Sequence, residues 1–224
     1  MIDYAKYPLP KKVRHHTSSN LYMPASELRT IPEHYPPIIK DINWADVFGN
    51  GRRPDELDIG CGKGSFLIEL ALKRPGINIL GIEIRHALVD WINGVARGES
   101  IDNCGALWYT VVNGLDFIGE RSIRAAYYLF PDPWPKTRHL RRRAFQEPFL
   151  KDLSRVLVPG GRLYLATDVD YVHEHHLAVL ESSQLFDWQV VSQPEDWNLP
   201  VTNKERFCIL HDIETYRIIA TPRA

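Results

Sequence analysis

Residues 56–73, ELDIGCGKGSFLIELALK, decide the fold that the sequence predicts. Glu56–Ile59 is a short run typical of a buried strand, and three glycines among the next five residues favour a tight turn. Ser65–Lys73 then carries apolar residues three and four positions apart, which is the spacing of an amphipathic helix. A strand, a glycine loop and a helix in this order form the repeating unit of a parallel sheet covered by helices.

The same alternation continues along the chain. Further strands are predicted at 77–84, 106–112, 125–130 and 162–167, and helices at 86–96, 145–157 and 169–181. Pro159-Gly160-Gly161 is expected to close the second of these helices. Two late strands, 186–192 and 215–221, are expected at an antiparallel edge. The predicted fold class is therefore α/β, with a doubly wound, mostly parallel, Rossmann-like sheet and a late antiparallel edge strand.

The composition allows one substantial core. The chain has 224 residues, of which 44% are apolar, and a formal net charge of −1. Its cations are unevenly placed, because no Lys or Arg occurs between Leu163 and Asn203. We expect residues 1–37, rich in proline, lysine and histidine, to form a basic, flexible arm, and residues 38–224 to form a single domain. The arm carries a basic cluster, Lys11, Lys12, Arg14, His15 and His16.

Cysteine usage and hydropathy indicate where the protein acts. Three cysteines, far apart and without metal-ligand spacing, indicate free thiols. No apolar run approaches the length of a membrane span, and the N-terminus lacks a signal peptide's apolar core. We therefore expect a cytoplasmic protein with no membrane partner and no metal. The group His173, His175 and His176 is expected on a solvated helix surface rather than around a metal ion.

Polar side chains stand at or just past the predicted strand ends. They are Asp58, Glu83, Asn113, Asp132 and Asp168. In a sheet of this kind, ligands bind beyond the carboxyl ends of the strands, so we expect one crevice to hold these five side chains.

The glycine loop favours an adenosyl ligand with positive charge. Gly60 and Gly62 let a ligand approach the backbone, but Ser65 stands where a dinucleotide fingerprint has its last glycine. Asp58, just before the loop, would repel a pyrophosphate and suits a sulfonium or amino group. Glu83 is placed to accept ribose hydroxyls and Asn113 to contact the polar edge of adenine. S-adenosylmethionine is therefore favoured over NAD.

Residues 131–143, PDPWPKTRHLRRR, form the second informative stretch. Asp132 lies between two prolines, which restrict its backbone, and Trp134 follows as an aromatic plate. The cations Lys136, Arg138, Arg141, Arg142 and Arg143 then occur with no acid among them. This combination is typical of a base-binding site beside a phosphate-binding one. A proline-rich turn followed by a solvated basic helix start is the alternative.

Several motifs together resemble the tRNA (guanine-N7-)-methyltransferases. They are LDIGCGKG (57–64), GIEIR (81–85), YLFPDPWPKTRHLRRR (128–143), PGGRLYLATD (159–168) and TNKE (202–205), and they span residues 57–206 in the family's order. The resemblance implies the class I methyltransferase fold, S-adenosylmethionine as cofactor and tRNA as partner. The implied reaction is methyl transfer to N7 of a guanine in the variable loop.

The resemblance also implies roles for individual positions. The cofactor contacts fall on Asp58, Glu83 and Asn113, and catalysis falls on Asp132, which we also count with the cofactor site. The substrate contacts fall on Lys136, Asp168, Thr202, Asn203, Lys204 and Glu205, and the phosphate contacts are expected at Arg141, Arg142 and Arg143. This chain departs from the family at Asp58, where glutamate is commoner, at Asn113, where aspartate is commoner, and at Arg206-Phe207, where paired basic residues are commoner.

Guanine N7 carries an in-plane lone pair, so the reaction requires alignment and exclusion of water rather than a base. Asp132 is expected to stabilise the positive charge that methylation places on the imidazole ring. A turn-capping role for Asp132, a packing role for Trp134 and a helix N-cap role for Asp168 stay open. Cys61 is interpreted as a small residue in a crowded loop.

Three other functions remain as alternatives. They are a methyltransferase of exocyclic amines in RNA or DNA, a non-catalytic RNA-binding subunit of the same fold, and a dehydrogenase, which Ser65 disfavours.

Overall fold

The computed structural model of the protein describes residues 2–11 and 18–223. The basic cluster's Lys12, Arg14, His15 and His16 lie outside the described residues. The chain divides into two compact units, the first ending at Asn113 and the second beginning at Gly114. The division into a basic arm, 1–37, and a single domain, 38–224, stays a prediction.

The first unit is built from parallel strands joined by helices. Its elements are β1 (Glu56–Ile59), α1 (Ser65–Lys73), β2 (Ile79–Glu83), α2 (His86–Gly98) and β3 (Cys104–Trp108). The strands are parallel in the order β3-β2-β1, with Ile59 opposite Ile82 and Glu83 opposite Trp108. Every residue of β1 and β2 is buried, as expected for parallel strands covered on both faces. The register places the carboxyl ends of the three strands at one edge.

One boundary in the first unit differs from the prediction. The strand predicted at 106–112 ends at Trp108, and Val111–Asn113 forms a short 3-10 helix instead. Asn113 therefore lies in a helical turn five residues past β3. The other short 3-10 helices of this unit are Ser19–Tyr22, Ala25–Glu27 and Trp44–Asp46.

The second unit is mixed. Its elements are β4 (Ile123–Leu129), α3 (Glu147–Val156), β5 (Leu157–Thr167), α4 (Asp170–Ser183), β6 (Phe186–Val190), α5 (Pro194–Trp197), α6 (Asn203–Leu210) and β7 (Tyr216–Pro222). The strand order is β4-β5-β7-β6, with β4 and β5 parallel and β7 antiparallel to both of its neighbours. The predicted late antiparallel edge is confirmed. Among the described residues, seven strands with interleaved helices give the α/β, Rossmann-like class that the sequence predicts.

One predicted helix end in the second unit is wrong. Pro159-Gly160-Gly161 does not cap a helix, because α3 ends at Val156 and the three residues lie inside β5. The pairing of β4 with β5 is irregular between Ile123 and Ala125. Gly161, beside this irregularity, has little room for a side chain, because a Cβ there would lie 2.9 Å from the Val158 carbonyl oxygen.

The histidines of α4 do not form a solvated surface. His176 is buried against the rings of Phe145 and Tyr128, and burial, followed by the nearby His175, lowers its pKa to about 3. The His175 Nε2 atom lies 2.9 Å from the Phe145 carbonyl oxygen. Phe145 and Tyr128 lie well before α4 in the chain, so the local sequence gives no sign of these contacts. Within the described part of the chain, no helix combines the length and apolarity needed to cross a membrane.

Candidate cofactor and substrate sites

Asp58 ends up buried because it is the third residue of the fully buried strand β1. Its side chain is 4% exposed, and no residue in the described ranges bonds its Oδ2 atom. Burial, and secondarily the negative charge of Glu83, raise the pKa of Asp58 from an ordinary 3.8 to about 8. A ligand that brings positive charge or hydrogen-bond donors stabilises the ionised form of such a buried carboxyl.

Glu83, at the end of β2, is the centre of a hydrogen-bond network. Its Oε2 atom accepts from the Gly62 amide at 2.9 Å and from Arg85 Nη2 at 2.9 Å. Its Oε1 atom accepts from the Arg85 amide at 3.0 Å and from Arg85 Nε at 2.8 Å. These four donors use the two lone pairs of each oxygen. The Arg85 side chain supplies two of these four donors, so a ligand that hydrogen-bonds Glu83 would have to displace it.

The glycine loop has the backbone that its sequence predicts. Gly60, Gly62 and Gly64 have φ values of +76°, +58° and +66°, in the left-handed region that favours glycine. A Cβ on Gly60 would meet no atom within 4 Å, whereas one on Gly64 would lie 2.7 Å from Ile92. Gly60 therefore leaves open space beside the loop, and Gly64 allows close packing of α2.

Cys61 is buried in this loop as a free thiol, as are Cys104 and Cys208. A Cβ on Gly81 would lie 2.8 Å from its Sγ atom, which confirms that Cys61 is a small residue in a crowded loop. Burial raises the pKa of the thiol, which disfavours the reactive thiolate.

Asn113 is held by residues far upstream. Its Oδ1 atom accepts a hydrogen bond from the Ala25 amide at 2.8 Å, and the Tyr35 hydroxyl lies 3.0 Å from the same atom. The Nδ2 atom is buried and has no hydrogen-bond partner among the described residues. The amide therefore presents unsatisfied donors. Nothing in the sequence around Ala25 or Tyr35 indicated a contact with a predicted site residue.

The PDPW segment, Pro131–Trp134, is held by its backbone and by Arg143. Phe130 and Trp134 have φ values of +51° and +43°, an uncommon region for bulky residues. Arg143, only 8% exposed, donates from Nε to the Pro133 carbonyl at 3.1 Å and from Nη2 to the Trp134 carbonyl at 3.3 Å. These bonds stabilise the segment in a strained conformation. The sequence run did not distinguish Arg143 from its neighbours.

Asp132 belongs to this segment, and exposed cations follow it along the chain. Asp132 is half-buried, and its charge, after burial, raises the pKa of the Tyr128 hydroxyl. Lys136 and Arg141 are exposed. The Arg142 guanidinium lies 5.0 Å from the centroid of the Trp134 ring, so the tryptophan face has a cationic neighbour. The Arg138 side chain lies outside the described residues.

Asp168 and the start of α6 form a separate polar group. Lys204 Nζ lies 2.7 Å from Asp168 Oδ2. The N-cap residue of α4 is Val169, so the N-cap interpretation of Asp168 is wrong. Thr202 and Glu205 form a capping box for α6, and the Glu205 carboxylate also pairs with Arg217 at 2.7 Å. Thr202 and Glu205 thus hold α6 in place, while Lys204 is exposed and Asp168 is half-buried.

In the part of the chain that the structure describes, no group of three or more His, Cys, Asp or Glu side chains is arranged to hold a metal ion. The candidate residues are therefore acids, an amide, glycines and basic side chains.

Comparison with solved structures defines the class of fold. The 16S rRNA methyltransferase KamB is similar over 77% of this chain and 88% of its own, with a TM-score of 0.54 and 15% identity. A geranyl diphosphate C-methyltransferase from Streptomyces coelicolor A3(2), solved with S-adenosyl-L-homocysteine, is similar over 81% of this chain and 77% of its own, with a TM-score of 0.51 and 18% identity. The chain thus has the fold of α/β methyltransferases.

Sequence comparison defines the family. A family model described as "Putative methyltransferase" matches residues 52–216. The tRNA (guanine-N(7)-)-methyltransferase of Synechococcus sp. (strain JA-2-3B'a(2-13)) is 35% identical over 180 residues, which are 78% of this chain and 74% of that protein. The enzyme of that name from Lactobacillus gasseri is 35% identical over 143 residues, 64% of this chain and 66% of its own, just under two thirds. The chain belongs to the tRNA (guanine-N(7)-)-methyltransferase family.

Proposed function

We propose that the protein transfers a methyl group from S-adenosylmethionine to N7 of a guanine in the variable loop of tRNA, in the cytoplasm. The observation that carries this proposal is the 35% identity over 180 residues to a relative named for that activity. The arrangement of the candidate residues supports it in each unit separately.

The acids and the amide of the first unit fit the cofactor. When bound, S-adenosylmethionine supplies an electrophilic methyl group on a sulfonium, and it also carries an amino group, a ribose and an adenine. Asp58 has a buried oxygen without a partner in the described chain, which suits a cationic group. We assign Glu83 to the ribose hydroxyls, Asn113 to the adenine, and Gly60 and Gly62 to close approach of the ligand to the backbone.

In the second unit, we assign catalysis to Asp132. Methylation at N7 makes the imidazole ring of guanine cationic, and a fixed carboxylate stabilises that charge as it develops. A half-buried carboxylate does this better than an exposed one, because water screens it less. The same carboxylate can accept hydrogen bonds from the N–H edge of the base. The Arg143 bonds to the PDPW segment keep the carboxylate in place during the reaction.

The basic side chains are assigned to tRNA. We propose that the exposed Lys136 and Arg141 and the half-buried Arg142 bind phosphates, since cations that neutralise phosphates gain affinity by releasing counterions. Arg143 was predicted in the same group, but its guanidinium already bonds the PDPW segment. Asp168, Asn203 and Lys204 are assigned to the rest of the substrate contact. Thr202 and Glu205 were predicted in the same group, but they form the capping box of α6, so we propose that they act by holding that helix in place.

Incubation of the protein with unmodified bulk tRNA and labelled S-adenosylmethionine, followed by nucleoside analysis, tests the proposal. We expect label in N7-methylguanosine. Label in an N-methylated exocyclic amine would instead identify the alternative methyltransferase, and absence of label on every tRNA would contradict the proposal.

A further inference from the structure

We propose that Asn113 recognises the adenine of the cofactor as a hydrogen-bond donor, through its amide nitrogen to a ring nitrogen. We also propose that the N-terminal segment 18–37 imposes this orientation. The inference rests on the proposed function, because it concerns the adenine end of the cofactor site. It makes Tyr35 and Ala25 positioning residues.

The orientation of the Asn113 amide follows from the Ala25 contact. A backbone N–H only donates, so the side-chain atom 2.8 Å from the Ala25 nitrogen must be the oxygen. The Tyr35 hydroxyl approaches the same oxygen at 3.0 Å and the Met23 carbonyl at 2.7 Å, and its single proton is shared between these two acceptors. Both lone pairs of Asn113 Oδ1 therefore face groups of the N-terminal segment.

The Asn113 side-chain nitrogen, unlike the oxygen, has no hydrogen-bond partner among the described residues. It carries two protons, is buried, and has no acceptor in the described ranges. A buried donor without a partner is costly, so a ligand that supplies an acceptor is favoured. Adenine offers acceptors at its ring nitrogens, whereas its exocyclic amine is a donor. The amine therefore cannot satisfy Asn113 Nδ2, but a ring nitrogen can.

The N-terminal segment is suited to this positioning role because its contacts are buried. Tyr35 is 5% exposed, and Met23, whose carbonyl shares its hydroxyl proton, is buried as well. Ala25 begins the short 3-10 helix Ala25–Glu27, so its amide is not used within that helix and is available to Asn113. An aspartate at position 113 would accept from the same two groups but would have no donor to offer.

Calorimetry with S-adenosylhomocysteine and altered adenines tests the inference. The ligands are the parent compound, analogues in which ring N1, N3 or N7 is replaced by carbon, and an analogue lacking the exocyclic amine. We expect the wild-type protein to lose about tenfold in affinity for one ring-carbon analogue, the scale of one hydrogen bond, and little for the analogue without the amine. In Asn113→Asp, the ring-carbon loss should disappear.

Two results overturn the inference. The first is a wild-type protein that discriminates against the analogue without the amine and against none of the ring-carbon analogues. This outcome leaves the proposed function intact. The second is failure of the wild-type protein to bind S-adenosylhomocysteine at all, which also removes the proposed cofactor.

The positioning role is tested with Tyr35→Phe, and Tyr4→Phe is the matched control. Tyr4 belongs to the same N-terminal region, but its ring stacks on Trp91, away from the Asn113 contact. Tyr35→Phe should reduce the affinity ratio between the parent ligand and the ring-carbon analogue severalfold, and Tyr4→Phe should leave the ratio unchanged. Because the ratio compares two ligands on one variant, a general loss of stability does not move it. An unchanged ratio in Tyr35→Phe would overturn the role of the N-terminal segment.

Discussion

The candidate acids of the first unit, Asp58 and Glu83, are held differently from the candidate acid of the second unit, Asp132. Asp58 and Glu83 are 4% and 3% exposed, and they are fixed by strand ends and by the glycine loop. Asp132 is only half-buried, in a segment that has a left-handed backbone at Phe130 and Trp134 and is stabilised by Arg143, with exposed cations nearby in the chain. Deep burial suits a small ligand that is enclosed, and exposed charge suits a large polyanion. The predictions below test that contrast.

The largest effect is expected at Asp132. Asp132→Ala should lower kcat on tRNA by on the order of a hundredfold or more, because a fixed charge acting on the transition state is lost. Steady-state kinetics at saturating concentrations of unmodified tRNA measures this. Asp170→Ala, which removes an acid at the start of α4, is the control and should retain most of the rate. A kcat within a few-fold of wild type would remove Asp132 from catalysis and favour its turn-capping interpretation.

A loss of cofactor affinity is expected in the first unit. Glu83→Ala should weaken binding of S-adenosylhomocysteine by about 1.5–3 kcal/mol, the scale of hydrogen bonds to a charged group. Glu56→Ala is a matched control, because Glu56 is also buried. It lies at the start of β1, whereas Glu83 lies at the end of β2, and it pairs with Arg74 at 2.9 Å. Calorimetry on folded samples compares the two. Equal losses in both variants would indicate a general effect on the sheet rather than a ribose contact.

The buried acid Asp58 should make cofactor binding depend on pH. Burial, and secondarily the negative charge of Glu83, raise its pKa to about 8, so Asp58 is mostly protonated at pH 7. A cationic ligand favours the ionised form of Asp58. The affinity for S-adenosylmethionine should therefore rise between pH 6 and pH 8, by up to about tenfold per pH unit. Binding at pH 7 should release about one proton. Calorimetry in buffers of different ionisation enthalpy counts that proton. A pH-independent affinity would show that Asp58 does not face the positive charge.

The same shift affects the stability of the ligand-free protein. The unfolded carboxyl ionises near its ordinary pKa of 3.8 and the folded one near 8, so the group destabilises the fold progressively as pH rises between these values. Asp58→Asn should therefore raise Tm at pH 8 more than at pH 4. An equal change at both pH values would contradict the raised pKa.

The smallest effect separates the arginines of the second unit. Replacing Arg141 and Arg142 by alanine should raise KM for tRNA severalfold. The slope of the logarithm of the tRNA binding constant against the logarithm of salt concentration should become shallower by about one to two units. Arg143→Ala should instead lower kcat with little change in salt slope, because its guanidinium bonds the Pro133 and Trp134 carbonyls. Filter binding at several salt concentrations and steady-state kinetics distinguish these outcomes. If all three arginines change the salt slope equally, Arg143 also contacts phosphate.

Local pattern predicted the elements whose boundaries depend on nearby residues. The bounds of β1 and α1 agree with the prediction residue by residue, because apolar spacing and the glycine loop set them. The sequence missed contacts made over long separations. Tyr35 reaches Asn113 across 78 residues, and Phe145, an aromatic neighbour of His176, lies outside α4 and well before it in the chain. Asp168 resembled a helix cap by position, but the distant Lys204 is its partner.

The residue types at the candidate site were predictable, because acids at the ends of buried strands and cations after a rigid acid are typical of ligand-binding sites. The state of those residues was not. Neither the four donors around Glu83 nor the burial of Arg143 can be deduced from a run of letters, because each depends on packing between elements.

The position of the methyl group tests the central claim most directly. N7-methylguanosine has a labile imidazolium ring, so borohydride reduction followed by aniline cuts RNA at that nucleotide. We predict that unmodified tRNA treated with the wild-type protein and S-adenosylmethionine is cut at one guanine of the variable loop, and that tRNA treated with Asp132→Ala is not. Methyl incorporation without cleavage, or cleavage at guanines outside the variable loop, would contradict the account.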